Sequence, residues 1–293
     1  MPDWATFAGF AGVVLVLLLL LAHASKSVVS GDAATPASAP TPGEQHAPGS
    51  VDPSVADAPH TNRIVDSGPT DSTDLDSHLT PVDASDHWTD RAHATGPQLS
   101  TMALLANVAV SQGAFGFLLV AGAWFTEIPL SAFGVPPSLP SVTTLGVGVA
   151  LGLALYLANE VGSTVGERLG VGADESLREA LAPASVGGWV VLLVVVLPTI
   201  AAFEELLFRG VLVGVFSAGF GVSPWLLAGL SSVAFALGHG AQGPAGVAVT
   251  GILGFVLAAA FVLTGSLLVV IVAHYLVNAL EFVVHEAPDT GWA

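Results

Sequence analysis

The sequence predicts an all-α fold, a polytopic transmembrane bundle of about seven helices in the cell membrane. Composition is the first observation behind this. The chain has 293 residues, of which 53% are hydrophobic and only 10% charged, and its mean hydropathy is +0.75. A soluble chain of this length needs a far more polar surface. The second observation is arrangement, with long apolar runs separated by Gly, Pro and polar punctuation. The lipid bilayer is therefore the first partner the sequence implies.

The first run, within Trp4 to Ala24, is long enough to cross about 30 Å of hydrocarbon as a helix. Asp3 precedes it with no Lys or Arg, unlike the basic start of a signal peptide, so residues 1–24 are expected to form an uncleaved N-terminal anchor. Residues 25–99 are rich in Pro, Ala, Ser and Asp and poor in apolar side chains. Such a segment does not bury enough surface to offset its ordering entropy, which predicts a disordered acidic linker. Its five histidines lie among acids without ligand spacing.

Residues 100–285 are expected to form the helical domain, and 286–293 a tail. Spans are predicted near 101–125, 141–158, 187–203 continuing to about 216, 224–238, 245–263 and 266–284. Residues 127–140 read as an interfacial loop, and 159–183 as a polar loop with a short amphipathic helix. Gly148 and Gly152, four apart, suit close helix packing.

Charge and composition exclude several functions. The formal net charge is −17 and Lys26 is the only lysine, so no basic patch exists for nucleic acid. With no cysteine, disulfides, thiolate nucleophiles and cysteine zinc sites are excluded.

Ionisable groups inside the spans are few: Glu204, Glu205, Arg209, His239 and His274, with Asn278 one turn after His274. Each costs at least about 2.5 to 3.5 kcal/mol at the bilayer centre, and such residues usually mark function. Glu205 and Arg209 are four apart with the acid first, the favoured order for a helical pair. Glu204 points about 100° away and is left as an unneutralised carboxylate that suits general-base work or metal ligation. His274 and Asn278 share one helical face, so an imidazole and an amide can approach one reacting atom. Taken singly, each residue is equally explained as structural glue. Together, three separate segments contributing such groups point to one site.

Other protease patterns are absent. "HEAPD" at His285 is not HExxH, no GxSxG elbow occurs, and "GVGAD" at Gly170 lacks the spacing and depth of an intramembrane aspartyl site.

The remaining motifs are EExxxR (Glu204, Glu205, Arg209), FxxxH (Phe235, His239) and HxxxN (His274, Asn278), in that order. In this they resemble the CPBP family of intramembrane proteases, which includes type 2 CAAX prenyl endopeptidases and bacteriocin-processing or immunity proteins. The resemblance covers about residues 101–284. It implies a helical bundle with an intramembrane cavity that hydrolyses a peptide bond in a membrane-associated or lipid-anchored, CAAX-like substrate. By the same resemblance Glu204 and His239 would activate water, and His274 and Asn278 would stabilise the oxyanion. Glu205, Arg209 and Phe235 would support them.

Glu204, His239 and His274 are also chemically adequate ligands for zinc with one open position, so a divalent cofactor and a glutamate-activated water are both carried forward. Two readings compete with a protease. One is a catalytically silent scaffold or immunity protein. The other is an ion-coupled transporter, which predicts an inverted repeat; none is evident between 101–203 and 204–284.

Overall fold

A computed structural model describes residues 1–31, 100–168, 170 and 176–287. Contacts divide the chain into one unit of Met1–Ala34 with Leu99–Ala293 and another of Thr35–Gln98. The predicted linker, apart from its first residues, lies outside the described residues, as do 288–293 of the predicted tail.

The described residues form helices only: α1 (Trp4–Gly31), α2 (Thr101–Phe125), α3 (Val142–Arg168), α4 (Ser176–Leu181), α5 (Val186–Phe220), α6 (Pro224–Gly238), α7 (Gly243–Thr264) and α8 (Leu267–His285). A 3₁₀ turn, Leu130–Phe133, sits between α2 and α3. Among the described residues six helices are long and apolar enough to cross a membrane, and α6 is a shorter apolar helix. The protein is thus a multi-pass all-α membrane bundle.

Two boundaries differ from the sequence reading. The first ten residues of the predicted 159–183 loop continue α3 to Arg168. No Pro interrupts them, and their polar side chains are absorbed locally: the Ser163 and Thr164 hydroxyls donate to the carbonyls of Asn159 and Glu160. Residues 25–31, expected as linker, likewise extend α1.

α1 also packs into the bundle. Phe7, Ala11 and Val14 lie on one helical face, and all three are buried in a cluster with Phe203, Leu207, Phe208 and Phe235. The Phe10 ring covers Gly122 on α2, and the Trp4 ring covers Gly219 on α5. Asp3 opens the helix by accepting from the Thr6 backbone N–H at 3.0 Å, and Thr6 holds the Asp3 carboxyl below its ordinary value.

α3 and α8 pack closely through the predicted glycine pair. A Cβ on Gly148 would stand 3.0 Å from the Val269 carbonyl oxygen, and one on Gly152 would stand 2.9 Å from that of Ala273. Neither leaves room for a side chain. α5, the central helix, widens into π-helical turns at Leu192–Val196 and Leu206–Val215. Pro198 follows the first and cannot donate to the Val194 carbonyl. The second begins immediately after Glu205, and local π-helical segments recur at functional sites.

Candidate active site

Glu204 and Glu205 sit near the middle of α5, and both are buried. Glu205 Oε1 accepts from Arg209 Nη1 at 2.6 Å, as the spacing predicted. The same oxygen lies 2.7 Å from His274 Nδ1. A carboxylate that serves as Arg209's counter-ion has no proton to give, so Nδ1–H is the donor. Arg209 is completed by a 2.8 Å bond from Nη2 to the Gly254 carbonyl and by stacking 4.6 Å above the Phe235 ring. Gly254 allows this approach, because a Cβ there would stand 2.9 Å from Phe235.

Phe235 is the hub of the aromatic contacts. Its ring meets Phe208 edge-on at 5.0 Å, His239 at 4.5 Å and His274 edge-on at 6.0 Å. His239 ends α6, with Nδ1 2.9 Å from the Phe235 carbonyl. That oxygen only accepts, so Nδ1 carries the proton and Nε2 presents a lone pair. The Ser231 hydroxyl donates to the Phe208 carbonyl at 2.6 Å and joins α6 to α5.

Glu204 turns away from this network. Its Oε2 is buried without a hydrogen-bond partner among the described residues and lies 3.7 Å from His274 Nε2. A gap of that size is too wide for a direct hydrogen bond and suited to one bridging oxygen or ion. Glu205 Oε2 and Arg209 Nε are also unpartnered. Asn278 is half-buried one turn beyond His274 on α8.

Of the seven residues read from the sequence, Glu205, Arg209, Phe235, His239 and His274 are linked through these contacts, Glu204 stands 3.7 Å from His274, and Asn278 lies one turn along the same helix. A groove of about 450 Å³ between α2 and α5, lined by Gln112, Gly116, Thr199 and Phe203, contains none of them.

The sequence reading missed two things. It paired Glu205 with Arg209 alone, whereas His274 shares the same oxygen. It also missed a second polar cluster joining α3, α4 and α8. There Asn159 Nδ2 donates to Glu281 at 2.5 Å, and His285 Nε2 lies 2.7 Å from Glu160. Arg178 bonds both Glu281 and Glu286. Oxygens of Glu160 and Glu281 lie within 4.8 Å of each other and of a His285 nitrogen. The signal was present as Asn159, Glu160 and Arg178 in one polar stretch and Glu281, His285 and Glu286 in another.

Residues 186–280 match the family model described as type II CAAX prenyl endopeptidase Rce1-like. The match agrees with the resemblance read from the motifs, and it spans α5, α6, α7 and most of α8 with all seven residues singled out from the sequence. α1 to α4 lie outside it. No curated protein and no solved structure matches the chain. The family supports a CAAX-type membrane protease activity in general terms.

Proposed function

We propose that this chain is an intramembrane endopeptidase that hydrolyses a peptide bond in a membrane-associated substrate, with Glu204 as the general base. The observation that carries this is the buried, unpartnered Glu204 Oε2 facing His274 Nε2 across 3.7 Å. A carboxylate held out of water beside an imidazole, with no Arg or Lys bonded to it, is poised to take a proton from a water in that gap. The neighbouring Glu205 is the weaker base, because Arg209 and His274 both engage its Oε1 and hold it as a counter-ion, although its Oε2 is also unpartnered.

The water oxygen bonds to the scissile carbonyl carbon as its proton passes to Glu204. The oxyanion forms beside His274 and Asn278, which donate to it through Nε2–H and the side-chain amide. Glu205 balances the charge of His274 when both of its ring nitrogens are protonated. As the C–N bond breaks, the proton held on Glu204 goes to the leaving nitrogen. The second water proton, left on the new carboxyl group, then passes to the amine, so the products are a carboxylate and an ammonium. His239 supports the water through Nε2, because Phe235 engages its Nδ1.

By donor type the same residues suit a divalent metal such as zinc, although among the described residues the three ligand atoms found within 4.8 Å of one another are those of Glu160, Glu281 and His285, so His239 would have to approach Glu204 and His274 to complete the set. Glu204 Oε2 is an orphaned buried oxygen, His274 has a carboxylate behind Nδ1, and His239 offers a free Nε2. Glu204, His239 and His274 would hold the ion, which when bound would lower the pKa of a water and polarise the carbonyl. The substrate class proposed is supported by the site's place on apolar, membrane-length helices and by the description of the matched family as a prenyl endopeptidase. The proposed substrate is a membrane-associated peptide, with a lipidated C-terminal peptide as the first candidate to assay.

Purified protein in detergent, offered lipidated and unlipidated peptides, tests the reading. Wild-type protein should cleave and Glu204→Gln should not, with both equally folded. A folded wild-type protein that cleaves nothing, or a Glu204→Gln variant that retains full turnover, would sink it in favour of a silent scaffold. Chelation followed by zinc readdition separates the two forms of the water.

A further inference from the structure

We propose that α1, which lies outside the family-matched segment, is a fixed wall of the active site, and that Leu19 on it is a positioning residue for His239. This rests on the protease reading for its kinetic consequence and on packing alone for its structural one.

His239 sits where the backbone has least rigidity of its own. It is flanked by Gly238 and Gly240, and the turn ends at Gly243, whose φ of +74° suits glycine. His239 itself has left helical geometry, at φ −102° and ψ 23°. Glycine has the most backbone freedom to lose, so the chain from 238 to 243 does not by itself hold an imidazole to the tolerance a proton transfer needs. External contacts must fix the turn.

Three such contacts are present. The Phe235 ring and carbonyl hold the imidazole from α6. The Thr250 hydroxyl donates to Gln242 Oε1 at 2.6 Å and ties the turn to α7. The third is α1, which packs along Gly240–Gln242 and sets a Leu19 methyl 3.9 Å from where a Cβ on Gly238 would stand.

α1 is itself firmly seated. Phe7, Ala11 and Val14 are buried in the cluster that contains Phe235, and Phe10 and Trp4 cover glycines on α2 and α5. One rigid element therefore touches both the base of Phe235 and the turn that carries His239. A helix seated against four partners in this way acts as a brace.

The test uses the full chain in detergent with three variants and two readouts. In Leu19→Ala, backbone hydrogen exchange over 239–242 should rise about tenfold while exchange in α8 stays unchanged. In the same variant kcat should fall about tenfold with KM within about twofold. Leu19→Met, which refills the space, should restore both. If Leu19→Ala does not fold, Leu19→Val takes its place with the same readouts.

The third variant uses the absence of native cysteine. In Phe10→Cys/Gly122→Cys an oxidised pair locks α1 to α2, and full activity should persist. Unchanged exchange and kcat in Leu19→Ala, or exchange that rises uniformly through the bundle, would overturn the inference. Activity lost on oxidation of the cysteine pair and regained on reduction would also overturn it, since α1 would then have to move. If wild-type protein hydrolyses nothing, the protease reading fails, while the exchange measurement still decides whether Leu19 braces the turn.

Discussion

Replacing Glu205 by Gln separates the two adjacent glutamates more sharply than any other change. Glu205 is fully buried, and one of its oxygens takes both Arg209 Nη1 at 2.6 Å and His274 Nδ1 at 2.7 Å. The amide of Gln can accept one of these but supplies no charge. Arg209, also fully buried, then keeps only the Gly254 carbonyl and the Phe235 ring. Stranding one member of a buried pair typically costs about 3 to 5 kcal/mol. At about 2 to 4 °C per kcal/mol for a domain of this size, the melting temperature should fall by roughly 6 to 20 °C. Glu204→Gln removes a buried charge that has no Arg or Lys bonded to it, so its stability should stay within about 1 kcal/mol of wild type. The assay is thermal unfolding in detergent followed by tryptophan fluorescence, for which the chain has six tryptophans. Glu205→Gln/Arg209→Leu, which removes both charges, should recover much of the loss, because an apolar replacement of a whole buried pair is often neutral. Equal destabilisation by Glu204→Gln and Glu205→Gln would refute the division of roles, and a larger loss in Glu204→Gln would reverse it.

Gly152→Leu should cost about 1 to 3 kcal/mol. It should also lower kcat, because its side chain meets Ala273, the residue before His274; unchanged turnover would mean that the α3–α8 contact does not position His274. Replacing residues 35–98 by a short Gly/Ser linker should leave kcat/KM within about twofold, since that sequence has no apolar periodicity with which to pack; loss of turnover in a folded bundle would give the segment a part in substrate presentation. His285→Gln should shift the melting temperature by no more than about 4 °C, because its ion pair with Glu160 is a third exposed and such pairs contribute about 1 kcal/mol or less. A larger shift would make the Glu160–Glu281–His285 cluster a structural clamp of α8.

Local periodicity explains why some of this was legible in the sequence and some was not. The spans were legible because the bilayer sets a length and demands apolar side chains, and both leave marks residue by residue. The Glu205–Arg209 pair was legible for a similar reason, since helical spacing converts four positions of sequence into one face. Tertiary partners leave no such mark. Nothing local distinguishes a histidine that hydrogen-bonds a carbonyl from His274, whose Nδ1 reaches an oxygen 69 positions away. The inward face of α1 was hidden by the same logic that revealed its span. A helix uniformly apolar enough to cross lipid has no polar side to show which stripe is buried, so Phe7, Ala11 and Val14 read like the exposed Val13, Val16 and Leu17 beside them. The boundary error at Asn159 has the opposite cause, because polarity there was taken as the end of a helix. In a membrane bundle it marks the point where the helix leaves hydrocarbon, and Asn159 and Glu160 continue α3 while turning to Glu281 and His285. Since α8 also carries His274 and Asn278, the stretch read as a connecting loop helps fix the helix on which half of the proposed site depends.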